Sequence, residues 1–150
     1  MALCTAADSA AARELRVAFE IPVISTADYN KPYVAIWLER PQQSETLLLW
    51  HLKNAKDDKW LPDIRRWWRK QGRYGLPVDA VTGATRGPGR YRESFDVDIE
   101  GSATLLIEVV REDGGRTLIK QPMDFSGNEQ VYVLPPDNEI GETTITLGER

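Results

Sequence analysis

Ala103-Thr104-Leu105-Leu106-Ile107-Glu108-Val109-Val110-Arg111-Glu112, then Asp113-Gly114-Gly115, then Thr117-Leu118-Ile119-Lys120-Gln121-Pro122-Met123, reads as a β-hairpin. Two runs rich in apolar and β-branched residues flank a turn of Asp-Gly-Gly, which supplies the backbone freedom a tight hairpin needs. Working outward, the same rhythm repeats. Residues 130–134 and 143–147 are two further short strands, with Pro135-Pro136-Asp137-Asn138 between them. On the other side, Phe95, Val97 and Ile99 alternate with Ser94, Asp96 and Asp98. Near the start, Leu15, Val17, Phe19 and Ile21 alternate with Arg16, Ala18 and Glu20, the pattern of a half-buried strand. Residues 33–39 form a second strand, residues 41–44 turn the chain, and residues 46–52 form a third. Seven or eight short strands at this spacing point to a mainly β protein, an immunoglobulin-like antiparallel β-sandwich.

One segment breaks the rhythm. Trp60, Ile64, Trp67 and Trp68 fall at i, i+4, i+7 and i+8, one face of a short inserted amphipathic helix. Pro62 is tolerated only in a first turn, which puts the start near Leu61, and the helix is expected to run to Lys70. Gly72 and Gly75 end it, and Pro77 commits the chain to an extended loop. Two readings of the three tryptophans are open. They either cover the open end of the sandwich or form a platform on which a flat ligand or a partner could stack.

A chain of 150 residues fits one domain, taken as residues 13–150. Residues 1–12 are small and mostly polar, and read as a disordered segment or the remnant of a secretory signal. With 41% hydrophobic and 28% charged residues, the composition is that of an ordinary globular protein. No apolar run approaches the ~18 residues of a spanning helix, so no membrane insertion is expected. The single cysteine, Cys4, excludes an internal disulfide and a cysteine metal cage. His51 is the only histidine, so no metal site is expected and the residue reads as part of a strand.

The net charge of −4 argues against nucleic acid as a partner. Its distribution is uneven: residues 53–92 carry +7 and the remainder −11. A basic middle suits a localised anionic ligand, and equally a solvated helix face beside acidic loops.

In that basic middle lies Asp79-Ala80-Val81-Thr82-Gly83-Ala84-Thr85, read as a short turn that offers the Thr85 hydroxyl to an outside reagent. Gly83 frees the backbone and Ala84 leaves space beside it. The plain alternative is a polar turn in which Gly83 bends the chain and Thr85 opens a strand. Arg86 and Arg90 follow within a second turn, well placed in sequence to pair with a phosphate.

The spacing Asp-x-x-Thr-Gly-Ala-Thr resembles the acceptor signature of bacterial flavinylated proteins. In these, the final threonine carries FMN through a phosphoester attached by an FAD:protein FMN transferase of the ApbE type. The small periplasmic subunits of sodium-pumping NADH:quinone oxidoreductases and of Rnf complexes bear the same signature. Residues 31–39, Leu49-Trp50, residues 59–68, residues 79–86 and Pro88-Gly89-Arg90-Tyr91, in that order, look like the bacterial exported family called domain of unknown function 2271. That resemblance covers roughly residues 15–147. It implies an immunoglobulin-like sandwich in the periplasm, associated with flavin transferases and with PepSY-type membrane proteins that handle electrons.

Together these resemblances imply a flavin-bearing electron carrier rather than a stand-alone catalyst. Thr85 is the expected attachment point, and Asp79, Thr82, Gly83 and Ala84 form the segment the transferase recognises. Arg86 and Arg90 are candidate phosphate neighbours, and Trp67, Trp68 and Tyr74 candidate ring contacts. The alternative is a non-catalytic binding module whose Trp/Arg helix docks onto a membrane-bound partner. A hydrolase is disfavoured, because His51 has no nucleophile elbow near it and no Walker-type or dinucleotide-binding glycine loop is present.

Overall fold

The computed structural model describes residues 12–51, 58–74 and 81–149. The fold is mainly β, with two open sheets. Strands β1 (Arg13–Ile21), β2 (Tyr33–Arg40), β3 (Gln43–His51), β4 (Val81–Ala84), β5 (Gly89–Val97), β6 (Ser102–Val110), β7 (Arg116–Asp124), β8 (Gln130–Leu134) and β9 (Thr143–Leu147) follow in chain order. The four-stranded sheet has the order β5-β1-β9-β8 and the five-stranded sheet the order β4-β3-β2-β6-β7. Every described pairing is antiparallel except β3 with β4, which is parallel.

The two sheets share one core. Leu15, Val17 and Phe19 of the first meet Val34, Ile36, Leu105 and Ile107 of the second. The five-stranded sheet is covered on its other face as well. Tyr33, Ala35, Trp37, Leu49 and Leu106 pack there against Leu61, Ile64 and Trp67. This explains why β2 and β6 read as nearly continuous apolar runs: a strand buried on both faces has no polar side to show.

The covering segment is less regular than its periodicity implies. A 3-10 turn, Asp58–Asp63, holds Pro62; α1 then spans only Arg65–Lys70, and a second 3-10 turn follows at Gly72–Tyr74. Trp67 is fully buried and Trp68 half-buried, while the side chain of Trp60 lies outside the described residues. The segment therefore roofs a sheet face and does not plug the end of the sandwich.

Polar groups fix this roof. Ile64, at the helix start, has no side-chain acceptor for the first amides. Glu108, on β6 and wholly buried, supplies it: the amides of Trp67 and Arg66 donate to its carboxylate at 3.0 and 3.2 Å. Arg116 Nε donates to the same group at 2.7 Å, so the buried charge is paired. Trp67 Nε1 donates to Thr46 Oγ1 at 3.0 Å. Arg66 Nη2 and Nε donate to Glu39 at 2.8 and 3.2 Å.

Two elements depart from the sequence reading. Residues 81–84 are a strand on the edge of the five-stranded sheet, not a turn. The following turn is short, because β5 already begins at Gly89. The N-terminal segment, residues 1–11, lies outside the described residues.

Candidate functional site

β4 aligns Leu48 with Val81, Leu49 with Thr82, Trp50 with Gly83 and His51 with Ala84. Side chains alternate across a sheet, and Trp50 belongs to the inner core while Leu49 faces the helical roof. Thr82 and Ala84 thus take the outer side, and both are exposed. Thr85 follows directly on the end of β4, beyond its last register pair. Thr85 is only 7% exposed.

Beyond Thr85 the chain crosses a small aromatic cluster. Trp50 and Tyr91 meet edge to face with centroids 4.9 Å apart, and Phe19 lies 5.4 Å from Trp50 and 5.8 Å from Tyr91. The Arg86 guanidinium sits over both Trp50 and Tyr91, at 5.5 and 5.6 Å from their centroids. Tyr91 Oη donates to the Gly87 carbonyl at 2.6 Å, which ties down the short turn before β5. Thr85 and the Arg86 cation thus adjoin this cluster in the chain, with the Phe19 and Trp50 rings buried and Tyr91 partly exposed. A cation beside a hydroxyl suits a phosphate ester.

The sequence-derived candidates divide as follows. Thr82, Gly83, Ala84, Thr85 and Arg86 are brought together by β4 and its exit. Asp79 lies outside the described residues. Arg90 is 88% exposed at its side chain and pairs with Glu20, its register partner on β1 of the four-stranded sheet, 3.5 Å away. Trp67 and Trp68 belong to the roof on the outer sheet face. Tyr74 is 73% exposed, and its hydroxyl accepts from Arg73. The cluster of Phe19, Trp50 and Tyr91 was not anticipated. The available signal was Trp50 at the close of a strand and Tyr91 six residues after Thr85, two aromatics flanking the same loop.

A cleft of about 620 Å³ opens at the far end of the sandwich, between Glu39, Arg40, Lys70, Thr104 and Tyr132. No residue of 81–90 lines it. Among the described residues, no group of three or more His, Cys, Asp or Glu is placed to hold a metal ion, and no helix is long and apolar enough to cross a membrane.

Residues 14–142 match the model of a family described as predicted periplasmic protein, domain of unknown function 2271. No curated protein and no solved structure matches the chain.

Proposed function

Because the chain belongs to the periplasmic family called domain of unknown function 2271, we propose that it is an electron-transfer protein carrying FMN on Thr85. The observation that carries the reading is the sequence Thr82-Gly83-Ala84-Thr85-Arg86, running along a sheet edge into an aromatic and cationic cluster. An ApbE-type FAD:protein FMN transferase is the partner that would load it.

In that loading step the Thr85 Oγ attacks the FMN-side phosphorus of FAD. The Oγ–P bond forms, the phosphoanhydride bond breaks, AMP leaves with the bonding electrons, and the hydroxyl proton passes to a base of the transferase. Nothing is oxidised or reduced. The donor set suits the product: Arg86, next in the chain, neutralises a phosphodiester charge, and the partly exposed Tyr91 offers a ring nearby. FMN, once bound, supplies the redox chemistry, and the protein supplies tether and electrostatic setting. A covalent tether keeps the flavin from diffusing away outside the cytoplasm, and a membrane protein of PepSY type is the proposed redox partner.

The sheet arrangement supports an immunoglobulin-like assignment. The order β4-β3-β2-β6-β7 parallels the extended GFC sheet of variable-type domains, and β1 pairs with β5 in the opposite sheet as B pairs with E. The parallel β4 and the C-terminal hairpin β8-β9 depart from that pattern.

The test is co-expression with and without a cognate transferase, followed by intact mass and visible absorption after denaturation. One added FMN, lost in Thr85→Ala and kept in Thr82→Ala, is the expected result. Unmodified protein in every arm, or a flavin retained by Thr85→Ala, would falsify the assignment.

A further inference from the structure

We infer that Thr85 is modified only after β4 has left β3, so that the transferase takes residues 81–85 as an extended chain rather than as folded surface. The inference rests on the reading of Thr85 as acceptor, and concerns how that residue is reached.

In-line attack needs the hydroxyl and the phosphorus within ~3–3.5 Å inside another protein's site. A residue that is only 7% exposed cannot make that approach in place. The element that would have to move is weakly held. β4 has four residues, lies at the sheet edge and, among the described residues, pairs only with β3. None of its side chains belongs to either apolar cluster; Val81 is 47% exposed, and Thr82 and Ala84 are exposed too. Backbone hydrogen bonds to one neighbour therefore supply most of its attachment, and such edges open locally without global unfolding.

Gly83 gives an independent argument. A glycine weakens a strand, and is kept where a positive φ or a close neighbour excludes a side chain. Neither reason applies here. Gly83 lies within a regular strand, is not among the positive-φ residues, and a Cβ built on it would meet nothing within 4 Å. Among the described residues nothing requires glycine at this position. A narrow site gripping the released strand would account for it.

The opening has a fixed downstream end. Arg86 over Trp50 and Tyr91, and Gly87 bonded to Tyr91, hold the chain immediately after Thr85. Release of β4 frees the acceptor while the β5 end stays anchored.

The decisive experiment is a reversible staple in the full chain. Leu48 and Val81 are register partners, and Val81 is a variable position of the acceptor signature. In a Cys4→Ser background, Leu48→Cys with Val81→Cys places the chain's only two thiols across β3 and β4. The oxidised protein is expected to acquire FMN at least ~10-fold more slowly than the same protein after reduction, because a cross-link removes the local opening. Equal rates in the two forms would overturn the inference while leaving Thr85 as acceptor. Loss of modification in the unstapled parent would instead remove the acceptor assignment. Should the double variant fail to fold, amide exchange on the unmodified parent decides. Amides of residues 82–85 are expected to exchange at least ~10-fold faster than those of residues 48–50, and equal protection would refute a separate opening of β4.

Discussion

β2 and β4 belong to the same sheet, with only β3 between them, yet they are held in opposite ways. β2 buries six consecutive residues, Tyr33–Leu38, which go alternately to the inner core and to the helical roof. At ~1.5–3 kcal/mol for each large apolar side chain, that burial far exceeds the ~1 kcal/mol net of a backbone hydrogen bond. β4 buries none of its four residues and has bonds to one neighbour. A strand's attachment is thus set by what its side chains cover and only secondarily by its ladder. The proposed acceptor sits at the end of the one that covers least.

The covered face of the five-stranded sheet is expected to show the largest effects of substitution. Trp67→Ala removes a wholly buried ring and leaves Thr46 Oγ1 without its indole donor. A loss of ~3–5 kcal/mol in denaturant unfolding is expected, and a loss under ~1 would mean the roof is not part of the core. Glu108→Gln comes next, since the carboxylate holds the first amides of α1 and pairs with Arg116. A cost of ~1.5–3 kcal/mol is expected, with reduced amide protection confined to α1.

Glu39 gives a smaller, pH-dependent effect. Burial raises its pKa, but hydrogen bonds from Arg66 and Trp37 outweigh that and hold it below the ordinary 4.5. The carboxylate's contribution, under ~1 kcal/mol for a partly exposed pair, is therefore complete above about pH 4.5 and fades as pH falls through the lowered value. Stability of Glu39→Gln should converge with that of the parent in acid and fall below it at neutral pH. Divergence in acid instead would show the sign to be wrong. The smallest change is Gly83→Ala, expected to leave stability equal or higher by up to ~1 kcal/mol, since the Cβ meets open space. A clear loss would mean that β4 is held more tightly than its burial implies.

The sheet framework was legible in the sequence because each strand carries its own signal. Gln130–Leu134 and Thr143–Leu147 coincide with the expected ranges, and the Asp113 turn, with φ of 53°, joins the two strands as read. β4 was not legible. Four residues that include a glycine and no buried side chain leave neither alternation nor propensity to detect. The helix was over-read because tryptophan periodicity fixes a face but not the geometry between its members; Pro62 falls in a 3-10 turn and α1 begins only at Arg65. Glu108 was visible in hindsight as one acid amid Leu105-Leu106-Ile107 and Val109-Val110. Its partners, the Arg66 and Trp67 amides, lie some forty residues away and could not be named from the sequence. The same holds for Thr85, whose burial depends on where β4 docks.

β1 has one further consequence, for the order in which the molecule can assemble. It lies between β5 and β9, so both of its neighbours are made long after it. Leu15 pairs with Leu147, and the buried Arg13 guanidinium donates to the carbonyls of Phe125, Gly127 and Gly148. The first strand therefore waits for β5, well past the middle of the chain, and gains β9 only when almost the whole chain has been synthesised. High contact order of this kind makes folding slow. For a periplasmic protein that delay is useful: the chain remains threadable during export, and its four-stranded sheet closes only when its two ends are on the same side of the membrane.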